Sequence, residues 1–212
     1  MRYFLEIRFD GTDFNGWQNQ PRDPSVQQEV ERAIAIALHR PDIDVVGCGR
    51  TDSGVHAKQF FLHFDADETD LGERFTRNLN GILPESISVR RVIRVKRDAH
   101  ARFDASARTY TYHVHRVKDP FRFMRSYHFH QPLDVAAMNR ACKALIGKKD
   151  FSAFQKTGGD NKTTLCDVRT AKWVKTENGC VFTITADRFL RNMVRAIVGT
   201  RMRVGTGKNT VG

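Results

Sequence analysis

The eleven residues "GCGRTDSGVHA" (47–57) gather an arginine, an aspartate and a histidine among three glycines. A carboxylate at Asp52 can serve as a nucleophile or can stabilise a developing positive charge. Arg50, two residues earlier, reaches the same space, and His56 follows four residues later. Glycine on either side lets the backbone take a positive φ or come close to a bulky ligand. A single Asp-Ser-Gly would read equally well as an Asx turn with a surface ion pair. The whole string asks for more than a turn requires.

Two further stretches carry chemistry-bearing residues. In "ARTYTYHVHR" (107–116), Tyr110, Tyr112 and Val114 fall on one strand face, and Thr109, Thr111, His113 and His115 on the other. Tyrosines so placed serve either core packing or the stacking of a nucleic-acid base. In "FLRNMVRAIVG" (189–199), Arg191 and Arg195 are four apart, hence on one face of a helix. An arginine within "MVRAIVG" needs a carboxylate partner if it is buried, and Asp52 is a candidate. His113 with His115, and His128 with His130, share strand faces, but no cysteine pair at ligand spacing accompanies them, so no metal site is expected. "GTGKNT" (205–210) imitates a phosphate loop only superficially, because it follows a helix pattern where a strand is required.

The chain has 212 residues, with 35 Lys and Arg against 24 Asp and Glu, a formal net charge of +11. That excess favours a polyanionic partner through counterion release. Cys48, Cys142, Cys166 and Cys180 form no CxxC pair, which points to reduced thiols and a cytoplasmic protein. The N-terminus enters a strand pattern at once, so no signal peptide is expected, and no apolar run is long enough to span a bilayer.

The elements that must position these residues follow from periodicity. "RYFLEIRF" alternates as a half-buried strand and leads into the loop "GTDFNGWQNQPRDP". "SVQQEVERAIAIALHR" reads as a helix with Ser25 and Gln28 at capping-box spacing. Strands are expected at "DIDVVGC", "QFFLHFDA" and "ISVRRVIRV", with a helix at "DLGERFTRNLNGIL" (70–83) stopped by Pro84. The second half offers strands at "ARTYTYHVHRV" and "RSYHFHQ" and a helix at "DVAAMNRACKALIG" capped by Asp134. A hairpin of "TAKWVKT" and "GCVFTITADR" around Asn178-Gly179 follows, and then a helix over "FLRNMVRAIVGTRMRV". The expected fold class is α+β: two ferredoxin-like halves, 1–104 and 105–212, whose antiparallel sheets join around a central basic cleft. The first half carries the Asp52 loop and the second carries Tyr110 and Arg195.

Taken together, "FDGTDFNGWQNQP", "SVQQEVERA", "GRTDSGVHA", "FDASARTYTYHV", "GKKDFSAFQ" and "FLRNMVRAIVGT" resemble the tRNA pseudouridine synthase A family over nearly the whole chain. The resemblance implies an isomerase that turns uridine into pseudouridine at tRNA positions 38 to 40 in the anticodon stem-loop, acting as a homodimer without cofactor. It implies Asp52 as catalytic aspartate and Arg195 as its partner. Tyr110 would stack on the target uracil and assist removal of the C5 proton. Arg50 would help extrude the target nucleotide and bind substrate, with His56 also in the substrate-binding set. Members of the family usually run on past "VGTGK" into another helix and a final strand, so a chain ending at Gly212 is expected to lack an edge of the second half. Two other classes compete. A non-catalytic RNA-binding module explains the charge and the aromatic strand but not the Asp52 loop. An aspartate-nucleophile hydrolase would want a metal site.

Overall fold

The computed structural model of the chain describes residues 1–67, 71–156, 158 and 163–210. They fall into two compact units, Met1–Ala105 and Ser106–Gly212. Each is an α+β layer built on its own sheet.

In the first unit, β1 (Arg2–Phe9) buries Tyr3, Leu5, Ile7 and Phe9, the alternate positions expected of a half-covered strand. Helix α1 (Val26–Leu38) starts where Ser25 Oγ accepts the Gln28 amide at 3.1 Å and ends at His39, whose φ of 53° is left-handed. Its buried stripe of Val26, Val30, Ala33 and Ile34 joins the β1 side chains in one core. Then come β2 (Val46–Gly47), β3 (Ala57–Asp65), α2 (Glu73–Ile82) and β4 (Ile87–Val95). The sheet order is β2-β3-β1-β4 with every pairing antiparallel. This βαββαβ arrangement is ferredoxin-like. Asp70, the expected start of the second helix, lies outside the described residues, and the helix itself begins at Glu73.

On β1, Glu6 is 2% exposed although it is charged. The bulge between Glu6 and Ile7 lets Arg90 and Arg91, two of the three arginines of β4, reach it. Gln59 Nε2 donates to it at 2.9 Å, Arg91 Nε at 2.7 Å and Arg90 Nη1 at 3.5 Å. The Gln59 amide first, and Arg91 after it, outweigh burial and hold this carboxyl below its ordinary range.

The second unit contains β5 (Arg108–His115), β6 (Tyr127–His128), α3 (Val135–Cys142), β7 (Gly147–Asp150), β8 (Leu165–Thr176), β9 (Gly179–Ala186) and α4 (Met193–Gly205). Its sheet order is β6-β5-β9-β8-β7. The pairings are antiparallel except β5 with β6, which is parallel. Trp173 of β8 stacks on Phe182 of β9 at 4.8 Å, and Met138 of α3 with Met193 and Ile197 of α4 closes the core. Thr176 pairs with Gly179 across Glu177-Asn178. A Cβ on Gly179 would stand 2.0 Å from the Val114 carbonyl, so only glycine lets β9 start this close to β5.

Several local readings of the sequence give way here. "DIDVVGC" contributes only Val46–Gly47, which pairs with two residues of β3. "RSYHFHQ" contributes only Tyr127–His128, because the parallel bridge to β5 covers just two residue pairs. The final helix begins at Met193 and not at Phe189, because Asn192 has a φ of 65° and turns the chain before the helix starts. Arg191 therefore precedes the helix that carries Arg195. Helix α3 closes at Cys142 and passes into a 3₁₀ turn over Lys143–Leu145. Strand β7 was unannounced, because "GKKD" forms an exposed edge with no apolar alternation. No helix among the described residues is long and apolar enough to cross a membrane.

Candidate active site

The segment 47–57 leaves β2 and returns as β3, so it forms the connection of a hairpin. Its base is aromatic. Trp17 and Phe60 lie 4.4 Å apart, and a Cβ on Gly47 would stand 2.6 Å from the Trp17 ring. Above this base the connection is held by the loop that follows β1. Trp17 N donates to Thr51 O at 3.2 Å, and Gly54 N donates to Phe14 O at 3.3 Å. Val55 N closes a tight turn onto Asp52 O at 3.2 Å, with Gly54 at a φ of 72°.

Two glycines make that contact possible. A Cβ on Gly11 would stand 2.1 Å from Val55 O, and one on Gly16 would stand 2.3 Å from Thr51 O. Both neighbours are backbone and cannot rotate away. Gly16 also has a φ of 87°, which side chains with a Cβ rarely adopt. The loop "DGTDFNG" is thus a clamp on either side of Asp52. The sequence showed it only as a run of turn-forming residues.

The clamp fixes the backbone and turns the functional side chains outward. Asp52 and Arg50 are both exposed, whereas His56 is half-buried. His56 Nδ1 accepts the Gly11 amide at 3.1 Å and lies 2.9 Å from Asp10 Oδ1, and Asp10 Oδ1 accepts from Thr12 N and Thr12 Oγ1. His56 is thereby a tie between the end of β1 and the start of β3, a placement its sequence position did not announce. Thr51 Oγ1, beside Asp52, is buried with no hydrogen-bond partner among the described residues.

The remaining sequence-predicted residues belong to the second unit. Tyr110 and Tyr112 alternate on β5, opposite Ile184 and Phe182 of β9, and both are half-buried against that unit's core. Tyr110 meets Phe189 edge to face, with ring centroids 5.1 Å apart at 89°. Arg195 occupies the first turn of α4 and is exposed. Burial pushes the Tyr112 phenol above its ordinary 10.0, and the nearby Arg195 charge pulls it part of the way back.

Among the described residues, no three His, Cys, Asp or Glu side chains cluster as a metal site. Of the candidate histidine pairs, His115 is buried, hydrogen-bonded through Nδ1 to Ser126 Oγ at 2.8 Å and stacked on His128 at 5.1 Å. Cys142, Cys166 and Cys180 are buried free thiols, and burial pushes Cys180 up to about 11, so none is a ready nucleophile.

Comparison with known proteins supplies the remaining finding. A family model described as tRNA pseudouridine synthase matches residues 141–212, a span that includes Arg195. The tRNA pseudouridine synthase A of Bacteroides fragilis is 49% identical over 212 residues, covering 99% of this chain and 84% of the relative. That of Bacteroides thetaiotaomicron is 48% identical, covering 99% of this chain and 79% of the relative. The tRNA pseudouridine synthase A 2 of Clostridium perfringens is 41% identical, covering 96% and 84%.

Proposed function

From the premise that this chain belongs to the tRNA pseudouridine synthase A family, and is therefore an isomerase converting uridine in tRNA to pseudouridine, we propose that Asp52 performs the chemistry. The observation that carries this reading is the two-glycine clamp. It spends close backbone contact on both sides of one carboxylate and leaves that carboxylate facing outward.

The reaction breaks the N1–C1′ bond, turns the uracil and joins C5 to C1′. Atoms and oxidation state are conserved, so the chemistry calls for no redox cofactor and no energy currency. It does call for a nucleophile or a charge stabiliser, for exclusion of water and for a base that takes the C5 proton. Asp52 fills the first role. Held by its backbone, it loses little orientational freedom when the nucleotide arrives. Arg195 pairs with the carboxylate once substrate is bound, favouring its ionised form as the RNA displaces water. Tyr110 gives the extruded uracil an aromatic face and assists removal of the C5 proton. This reading requires Asp52, Tyr110 and Arg195 to converge on one nucleotide.

The target uridine must leave its stack, at a cost of a few kcal/mol. Arg50, exposed next to Asp52, occupies the space the base vacates, and His56 supports the same loop from its tie to Asp10. The exposed cations of "RVKRD" and "GKKD" bind phosphates and fix position without reading sequence. On this reading the targets are tRNA positions 38 to 40 in the anticodon stem-loop, and the working unit is a homodimer in the cytoplasm. The test is direct. Unmodified tRNA is incubated with the protein and treated with a carbodiimide that marks pseudouridine, and reverse-transcriptase stops are mapped. Stops in the anticodon arm that vanish with Asp52→Asn are expected. Stops that persist with Asp52→Asn remove the aspartate from its role.

A further inference from the structure

Between β5 and β6 the chain "RVKDPFRFMRSY" (116–127) exposes an unusual set of side chains. Phe121 is 90% exposed and Phe123 76% exposed, and Val117, Met124 and Tyr127 are exposed as well. Single exposed apolar residues are ordinary, but five within eleven positions of one segment are more than solubility favours. Nothing in the reaction scheme above uses them.

The segment is firmly built. Asp119 accepts the Phe121 amide at 2.9 Å and pairs with Arg122 at 3.2 Å, which opens a 3₁₀ turn over Pro120–Arg122. Its far end is secured to the sheet. Val114 pairs with Tyr127, His115 stacks on His128, and the Phe129 amide donates to His115 O at 2.8 Å. At its near end, Arg116 N donates to Asn178 O at 2.8 Å. The two phenyl rings are therefore presented on an ordered turn, and little conformational freedom remains to be lost on binding.

Charge decides what kind of partner fits. Arg116, Lys118, Arg122 and Arg125 stand among the rings, and the single acid, Asp119, is already engaged with Arg122 and the Phe121 amide. A second copy meeting this patch about a two-fold axis would bring another four cations to the same contact, in a chain whose net charge is already +11. A polyanion whose bases present open faces satisfies both features together: its phosphates meet the cations and its bases stack on Phe121 and Phe123.

We propose that the turn carrying Phe121 and Phe123 is a stacking clasp for unpaired bases of the tRNA substrate, separate from the residues assigned to chemistry. The inference rests on the tRNA reading of the protein. It is tested by titrating unmodified tRNA, and a blunt RNA duplex of similar length, with wild type and with Phe121→Ala/Phe123→Ala. Stacking of one or two bases predicts tRNA binding weakened about ten- to a hundredfold, with duplex binding, salt slope and melting temperature unchanged. Phe121→Trp/Phe123→Trp, which keeps the ring faces, restores tRNA binding. Arg122→Gln/Arg125→Gln instead weakens both RNAs and lowers the salt slope by about one to two. Unchanged tRNA affinity in the alanine variant overturns the proposal. So does an affinity loss that tracks a change in sedimentation, because the patch then holds a second copy. A parallel assay for pseudouridine separates the two readings. Wild type that binds tRNA without isomerising it refutes the catalytic role, while the titration still decides the clasp.

Discussion

The clamp gives a prediction whose size follows from distances. Gly11 has no positive φ, so Gly11→Ala tests close approach alone. Its new Cβ would stand 2.1 Å from Val55 O and 2.8 Å from Val55 C, and both neighbours are backbone. Reaching an ordinary contact of 3.4 Å requires the two segments to part by about 1.3 Å. Val55 is three residues from Asp52 and closes the same turn, so a displacement of that size passes to the carboxylate. A misplacement of about 1 Å costs on the order of a hundredfold in rate. Overpacking of this kind also destabilises the fold by about 1–3 kcal/mol. The assay is single-turnover tritium release from C5-labelled uridine in tRNA at saturating protein, with a binding titration and a thermal melt beside it. A rate near one hundredth of wild type is expected, with tRNA affinity within about threefold because the phosphate contacts lie elsewhere. Gly49→Ala is the structural control for the melt: it belongs to the same connection, has open space at its Cβ and should leave the melting temperature unchanged. Wild-type turnover by Gly11→Ala would refute the clamp.

Three further outcomes follow. Tyr110→Ala should lose far more single-turnover rate than Tyr112→Ala. Both should lose about 2 kcal/mol of stability, because both pack against the core, and equal rates would reduce Tyr110 to packing. Acid should destabilise the first unit through Glu6. Its folded carboxyl lies below its ordinary value of 4.5, so the unfolded chain binds the proton more readily, and the stability present above pH 4.5 is lost as pH falls through the folded value. Urea midpoints of wild type and Glu6→Gln between pH 6 and pH 3 should therefore converge toward low pH, and parallel curves would contradict the assignment. Gly179→Ala should cost about 2–3 kcal/mol or more in a denaturant melt, since its Cβ would stand 2.0 Å from Val114 O, and an unchanged midpoint would be inconsistent with the β5–β9 contact.

Local pattern carried much of the fold. The alternation in β1, the Ser25 cap of α1 and the Asp134 cap of α3 were all legible, because each depends on residues within one turn or one strand. What escaped was tertiary. Gly11 and Gly16 look like any turn glycines until Val55 and Thr51 are brought against them by folding. Glu6 reads as an ordinary outward strand residue, and only the bulge opposite Arg90 and Arg91 explains how it is buried. The alternating aromatics and histidines of "RSYHFHQ" promised a strand, but strand length is set by the partner, and β5 offers two pairs there. At the site, Arg50, Asp52 and His56 were legible as one loop because they are adjacent in sequence. The tie from His56 to Asp10 was not, because its two ends are 46 positions apart in the chain. Whether Arg195 is buried was left open by its apolar neighbours in sequence, and the structure shows it exposed in the first turn of α4.

The measurement closest to the central claim is the rate of tritium release by Asp52→Asn, an isosteric change that removes the charge and keeps the turn. No release above background, with tRNA bound at wild-type affinity and an unchanged melting temperature, is the result predicted for a carboxylate that reacts. Release within tenfold of wild type would contradict it, and would mean that the clamp holds some other group in place.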